Sequence, residues 1–194
     1  LGDVYKRQEF IRVLVLDSMA DGILTSRVID SAMEQTSRYF DFNEDKLVAL
    51  IGEAKHLGVD MFLLDDGWFG ERENDQKALG DWQDNPEKLP DGLGGLSAKI
   101  HAMGLKFGIW VEPEMISENS KLYREHPEYA VRIPGKAAAV GRNQMLLDLT
   151  QTKVQDRIIA DMSDVFRRGQ VDYVKWDMNL SLIHISEPTR RVVI

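Results

Sequence analysis

The chain has 194 residues, enough for one domain with a sizeable core, and its 43% apolar and 29% charged residues are typical of a globular protein. A formal net charge of −8 would repel a phosphate backbone, and no basic stripe with interleaved aromatic residues is present, so no nucleic-acid partner is predicted. No apolar run approaches the roughly 20 residues that cross a bilayer, so no membrane partner is predicted either.

Cysteine and histidine usage narrows the possible chemistry. The chain has no cysteine, which excludes disulfides and thiolate catalysis and is typical of a reducing compartment. Its four histidines are widely spaced and form no zinc-ligand pattern. The sequence therefore predicts no metal and no cofactor.

The first regular element that periodicity predicts is an amphipathic helix before residue 58. Asn43 can cap its start and Gly58 can close its end. Its apolar residues recur at helical spacing: Leu47, Leu50, Ile51, Ala54 and Leu57.

Apolar strand candidates then alternate with helices along the chain. The strand candidates are 59–66, 105–114, 144–149 and 171–178. Two further helical stripes are predicted, one at Leu93–Met103 stopped by Gly104 and one at Val154–Phe166 finished by Arg167, Arg168 and Gly169. Residues 67–92 are rich in Gly, Asp and Trp and predict a loop over the site. This alternation predicts parallel strands covered by helices, either a (β/α)8 barrel or a doubly wound sheet.

Polar residues cluster at the predicted carboxyl ends of these strands. Several successive strands that each contribute a charged group favour a barrel rim over a single crevice. The residues are Asp65, Asp66, Trp110, Glu112, Glu114, Asp148, Lys175 and Asp177.

Two of these clusters suggest chemistry. Lys175, Asp177 and Asn179 would share one face of a strand, and the ammonium would keep Asp177 ionised and usable as a nucleophile; the alternative is a structural ion pair at a strand end. Adjacent Asp65 and Asp66 repel one another unless sugar hydroxyls or a cation accept them, or unless they lie in a solvated turn. Calcium is a possible ligand, but this pair supplies too few oxygens for its cage.

The remaining polar and aromatic candidates each have a structural alternative. Glu112 and Glu114 could form a second acid/base pair, although helix-start and loop hydrogen bonding is favoured. Arg142 could bind a carboxylate or hydroxyls, or be solvated. The faces of three tryptophans suit sugar stacking, although burial in the core is the commoner role: Trp68, Trp82 and Trp110.

Five segments stand out between Tyr39 and Asn179: YFDFNEDK, LLDDGWFGERENDQKALGDW, GLKFGIWVEPEMIS, LYREHP and DYVKWDMN. In order and spacing they resemble the catalytic barrel of the family-36 glycoside hydrolases, the bacterial α-galactosidases. The resemblance implies a partial (β/α)8 TIM barrel, its N-terminal half, and retaining hydrolysis of raffinose-type α-galactosides by double displacement. It implies that Asp177 is the nucleophile and that the sugar is bound by Asp65, Asp66, Trp110, Arg142, Lys175 and Asn179.

The same resemblance implies that the acid/base is an aspartate on a later barrel strand without a counterpart in this chain, so we expect no useful catalysis from the chain alone. Residues 1–8 and 180–194 look like translated sequencing adapters, residues 9–38 fit the family poorly, and residues 39–179 form the partial barrel domain. The alternatives are an α-N-acetylgalactosaminidase or transglycosylase of the same clan, or an inert truncated polypeptide. A cytoplasmic, homo-oligomeric parent protein is implied by the family.

Overall fold

The computed structural model describes residues 40–56, 58–132 and 144–177. The helices and strands, in chain order, are α1 Glu44–His56, β1 Met61–Leu64, α2 Gly92–Ala102, β2 Lys106–Val111, β3 Met115–Ser117, α3 Lys121–Glu125, a 3₁₀ turn Pro127–Tyr129, β4 Gln144–Leu146, α4 Thr152–Gly169 and β5 Tyr173–Trp176. The predicted segments 1–8, 9–38 and 180–194 and the site residues Arg142 and Asn179 lie outside the described residues.

Three strands form a parallel sheet in the order β1, β2, β5. Helix α2 returns the chain between β1 and β2, and it packs against α1, α4 and β2. Apolar residues of α2 and of the central strand join one buried core: Leu93, Leu96, Ile100, Phe107 and Ile109. The prediction of parallel strands alternating with helices is confirmed for these elements, as in part of an α/β barrel.

The prediction of a parallel strand at 144–149 is wrong. Gln144–Leu146 pairs antiparallel with Met115–Ser117 in a separate two-stranded sheet, with Met115 opposite Leu146. A turn after β2, in which the Met115 N–H donates to the Glu112 carbonyl at 3.2 Å, reverses the chain and creates the partner strand. Both strands are fully buried, and a short buried run has the same apolar pattern in either sheet.

The predicted helix ends are confirmed for α1 but not for α4. The Asn43 side chain accepts the Lys46 N–H at 3.0 Å, and Gly58 follows α1 with a φ of 83°. At the end of α4, Gly169 is still helical, and Gln170 adopts the left-handed conformation with a φ of 46°. The stop therefore lies one residue later than predicted.

The long segment between β1 and α2 is packed into the core. Trp68 and Trp82 are 0% and 3% exposed, which confirms core burial as their role. Phe69 lies between them, with its ring centroid 4.5 Å from that of Trp82 and 5.1 Å from that of Trp68. The segment therefore contributes aromatic side chains to the hydrophobic core of the domain.

Strand β5 lies at an edge of the described sheet. Tyr173 and Trp176 are 49% and 48% exposed, whereas every residue of β2 after Lys106 is buried. Within the described ranges, no helix is both long and apolar enough to cross a membrane.

Candidate active site at the carboxyl end of the sheet

The register of the parallel sheet brings the predicted site residues together. Trp110 on β2 lies opposite Lys175 on β5. The Asp177 N–H donates to the Val111 carbonyl at 2.8 Å, so the ladder continues one residue past β5. Because side chains two apart in an extended strand point to the same face, Lys175 and Asp177 project together, as predicted.

An indole holds the Asp177 carboxylate. The Trp110 Nε1–H donates to Asp177 Oδ2 at 3.1 Å. Trp110 is itself 3% exposed, and its carbonyl oxygen accepts the indole N–H of Trp68 at 3.0 Å. The orientation of the Asp177 carboxylate is thus tied to a buried tryptophan of the core.

Asp65 is paired with the Lys175 ammonium, which the sequence placed beside Asp177. Lys175 Nζ lies 3.1 Å from Asp65 Oδ2, and Asp65 Oδ1 accepts the N–H of Asp66 at 2.8 Å. Burial raises the pKa of the Asp65 carboxyl above its ordinary value, and the positive charge of Lys175 opposes that rise. The ammonium therefore links β5 to the end of β1.

Asp66 has a different counter-charge, Arg72, which the sequence reasoning missed. Arg72 Nε donates to Asp66 Oδ1 at 2.9 Å and Nη2 donates to Oδ2 at 2.8 Å. The side chains are 1% and 8% exposed, respectively. The two adjacent carboxylates are therefore each paired with a cation of the protein, Asp65 with Lys175 and Asp66 with Arg72. A search for basic residues in the segment after Asp66 would have found Arg72.

Lys88 is a second missed cation, which holds the backbone around this pair. Its Nζ donates to the carbonyl oxygens of Gly67 at 2.7 Å and Arg72 at 2.8 Å. Gly67 has a φ of 104°, a conformation that lets the chain turn directly after Asp66. Burial lowers the pKa of the Lys88 amine, and nearby Asp66 opposes that shift.

Three other acidic candidates have distinct surroundings. Glu112 is fully buried, and Glu114 accepts the indole N–H of Trp176 at 2.8 Å. Asp148 was predicted at the site but instead accepts hydrogen bonds from Thr150 and Gln151 before α4, because β4 belongs to the other sheet. These bonds, chiefly that of the Thr150 hydroxyl, lower the pKa of Asp148.

The arrangement suits a neutral ligand rich in hydroxyl groups. Carboxylates accept hydroxyl protons and an ammonium donates to hydroxyl oxygens, so the Asp65, Asp66 and Lys175 side chains can recognise a polyol from two sides. A carboxylate such as that of Asp177, held by Trp110 at the same end of the sheet, is also a group that can act as a nucleophile. In the described part of the chain, no three histidine or acidic side chains are grouped so that they could hold a metal ion.

The chain is similar to known proteins in both sequence and structure. The chain is 50% identical over 149 residues to α-galactosidase Mel36A of Lactobacillus acidophilus, which covers 77% of the chain and 20% of that enzyme. It resembles solved structures of variants of the AgaA α-galactosidase of Geobacillus stearothermophilus with a TM-score of 0.71. One is a complex with raffinose, at 49% identity over 72% of the chain and 20% of that protein. Another is a complex with stachyose, at 48% identity over 73% and 20%.

The chain spans about a fifth of the length of the curated relatives it matches. The melibiase family profile matches residues 12–192, which is nearly the whole chain. Together with the order of the five family-like segments and the grouping of Asp65, Lys175 and Asp177 at one sheet edge, this match shows that the chain belongs to the melibiase family.

Proposed function

We propose that this chain forms the nucleophile side of the sugar site of a retaining α-galactosidase. The observation that carries the proposal is the position of Asp177, whose carboxylate is held by Trp110 on the same sheet edge as the Asp65–Lys175 pair. The family membership and the α-galactosidase names of the relatives support the substrate class.

In the proposed reaction, an Asp177 oxygen attacks the anomeric carbon and the bond from that carbon to the leaving oxygen breaks. A second carboxyl group, about 5 to 5.5 Å away in retaining enzymes, protonates the leaving oxygen. It then removes a proton from the water that hydrolyses the glycosyl-enzyme ester and releases free galactose and the Asp177 carboxylate. The resemblance to family 36 implies that this acid/base is an aspartate on a later barrel strand.

The roles of the surrounding side chains follow from their charges. Asp65 and Asp66 accept hydroxyl protons of galactose, and Lys175 donates to a sugar oxygen while it neutralises Asp65. Trp110 lines the subsite and orients Asp177. Arg142 and Asn179, which lie outside the described ranges, complete the proposed subsite.

We propose terminal α-linked galactose in raffinose-type oligosaccharides as the substrate. Two related AgaA structures contain raffinose and stachyose, which supports this class. The resemblance to bacterial family-36 enzymes likewise suggests a cytoplasmic, homo-oligomeric parent protein, which fractionation and sedimentation of that protein would test.

The function can be tested in a full-length context by substituting residues 40–177 for the matching segment of α-galactosidase Mel36A. We expect this chimera to hydrolyse an aryl α-galactoside, and Asp177→Asn to lower kcat on the order of 10³-fold or more because it removes the nucleophile. Mass spectrometry with a slow fluorinated galactoside should show one galactosyl unit attached at residue 177.

Asp148→Asn is the matched control, because the Asp148 side chain is bonded to Thr150 and Gln151 at the turn before α4. It should leave kcat/KM within about twofold of the unsubstituted chimera. Full activity of the Asp177→Asn chimera, or labelling at another residue, would reject the proposed function.

A further inference from the structure

Asp66 is held by a two-pronged contact from Arg72, six residues later in the chain. We propose that Arg72 is a positioning residue for sugar recognition, which fixes the Asp66 carboxylate so that its free lone pairs face the galactose hydroxyls. This inference rests on the proposed function. Its basis is the pair of bonds from Nε and Nη2 to the two carboxylate oxygens, at 2.9 and 2.8 Å. A planar guanidinium that bonds both oxygens sets the plane of the carboxylate, which a lysine cannot do.

Arg72 makes further contacts that hold it in place. Its Nη1 donates to the Lys77 carbonyl at 2.9 Å, and its guanidinium lies 5.7 Å from the centroid of the Phe69 ring. Its own carbonyl oxygen accepts a hydrogen bond from Lys88, which also binds the carbonyl of Gly67. The guanidinium therefore cannot follow a mobile carboxylate, and Asp66 must adopt the orientation that Arg72 dictates.

The lone pairs of Asp66 show why this contact leaves room for a ligand. A carboxylate offers about four acceptor positions, and Arg72 occupies one on each oxygen, so that each oxygen can still accept a hydroxyl proton. Arginine stays charged at any accessible pH and has no acceptor. The acceptor positions left on Asp66 match the donor character of sugar hydroxyls.

Stability alone does not explain a pair buried to this degree. The Arg72 and Asp66 side chains are 1% and 8% exposed, and the desolvation of two such charges offsets much of their attraction. A well-packed apolar pair of the same volume is often as stable. An ionised, oriented acceptor at the end of β1 is what the charged pair provides and an apolar pair does not.

The neighbouring carboxylate is held differently. Among the described residues, Asp65 is bonded by one ammonium, that of Lys175 on another strand, at 3.1 Å. An ammonium on a flexible stem can rotate toward a sugar oxygen, whereas the guanidinium of Arg72 is enclosed. We infer a division of work in which Lys175 contacts the ligand directly and Arg72 acts only through Asp66.

A double-mutant cycle in the Mel36A chimera tests this. Arg72→Lys keeps the charge but loses the fork, and it should lower kcat/KM by about ten- to a hundredfold through misplacement of Asp66. Inhibition by free galactose should weaken by a similar factor. When Asp66→Asn is already present, adding Arg72→Lys should lower kcat/KM by less than about twofold, because the group through which Arg72 acts is already altered.

The matched control is Arg168→Lys, the same substitution at another arginine that pairs with a carboxylate. Arg168 bonds Asp164 at 3.1 Å and the Trp82 carbonyl at 2.9 Å, and it has no contact with Asp65 or Asp66 among those observed. Its substitution should leave kcat/KM and galactose inhibition within about twofold. If Arg72→Lys reduces the yield of folded enzyme, Arg72→Ala with added methylguanidinium provides the second measurement, and the small cation should restore galactose binding.

The outcomes separate this inference from the proposed function. If Asp177→Asn abolishes activity while Arg72→Lys keeps wild-type galactose binding, or if the Arg72 and Asp66 effects are additive, only the role of Arg72 is rejected. If Asp177→Asn remains fully active, the proposed function is rejected and the role of Arg72 with it.

Discussion

The two ends of the parallel sheet hold their acidic groups in contrasting ways. At the carboxyl end, Asp65 and Asp66 are about nine-tenths buried and are paired with cations. At the amino end, the Asp172 side chain is 39% exposed and accepts the Phe107 N–H at 2.7 Å and a bond from His101 at 2.8 Å. The carboxylate at the amino end is half-exposed and accepts hydrogen bonds from Phe107 and His101. The carboxylates at the carboxyl end are buried away from solvent and form ion pairs.

Titration behaviour differs accordingly. Burial raises the pKa of Asp65, whereas the backbone N–H of Phe107, followed by His101, lowers the pKa of Asp172. A raised carboxyl pKa means that the folded state opposes ionisation, and a lowered one means that the folded state favours it. The contrast is the one expected of an α/β barrel, in which one rim carries chemistry and the other carries stability.

The largest effect should come from breaking the Asp66–Arg72 pair at the carboxyl end. Arg72→Met leaves a buried carboxylate without its counter-charge and should destabilise the 194-residue chain by about 3 to 5 kcal/mol. Urea unfolding followed by tryptophan fluorescence measures this change.

The matched control is the double variant Arg72→Met with Asp66→Leu, which removes both charges. It should recover most of the lost stability, because an apolar pair avoids the desolvation of either ion. A single variant within about 1 kcal/mol of the wild type would show that the pair is not effectively buried.

A smaller effect is expected at the amino end. Asp172→Ala removes the acceptor for the Phe107 N–H and should cost about 1 kcal/mol, reduced by the solvent exposure of the group. Asp172→Asn, which keeps an acceptor oxygen, should cost less. Neither variant should change the KM of the chimera, and a raised KM would contradict the separation of the two ends.

The smallest effect is a difference in pH dependence. Asp172 has a lowered pKa, so its contribution to stability is present above its ordinary value of 3.8 and is lost as the pH falls through its folded value. Asp65 has a raised pKa, so its contribution is present below 3.8 and is lost as the pH rises through its folded value.

Urea unfolding between about pH 3 and pH 7 can resolve these slopes. The stability difference between wild type and Asp172→Asn should grow as the pH rises, and the difference between wild type and Asp65→Asn should shrink. Slopes of the same sign would refute the assigned environments of the two carboxylates.

Local sequence signals predicted much of this fold. The cap at Asn43, the turn at Gly58 and the apolar stripes of α1, α2 and α4 depend on neighbours within a few residues, so they could be recognised directly. The failure at 144–149 has a different origin. A buried three-residue run carries no information about its partner strand, and that partner, Met115–Ser117, lies directly after the predicted strand 105–114, where no strand was predicted.

The sequence predicted which residues lie at the candidate site but not which of them form ion pairs. The sequence placed Asp65, Asp66, Lys175 and Asp177 at strand ends, and periodicity was sufficient for that. It could not show that Lys175 contacts a carboxylate 110 residues earlier in the chain, at 3.1 Å. It also overlooked Arg72, because a lone arginine in a polar segment resembles a solvated residue until its burial is known.

The sequence by itself determined the alternation of strands and helices, the acidic sheet edge and the family resemblance, since all of these reside in residue type and short spacing. Only the tertiary structure showed that Arg72 pairs with Asp66, that Lys175 pairs with Asp65 and that β4 pairs with β3 outside the parallel sheet. The reason is that ion pairing and burial depend on distance in space, and the residues that meet at this sheet edge come from distant parts of the chain.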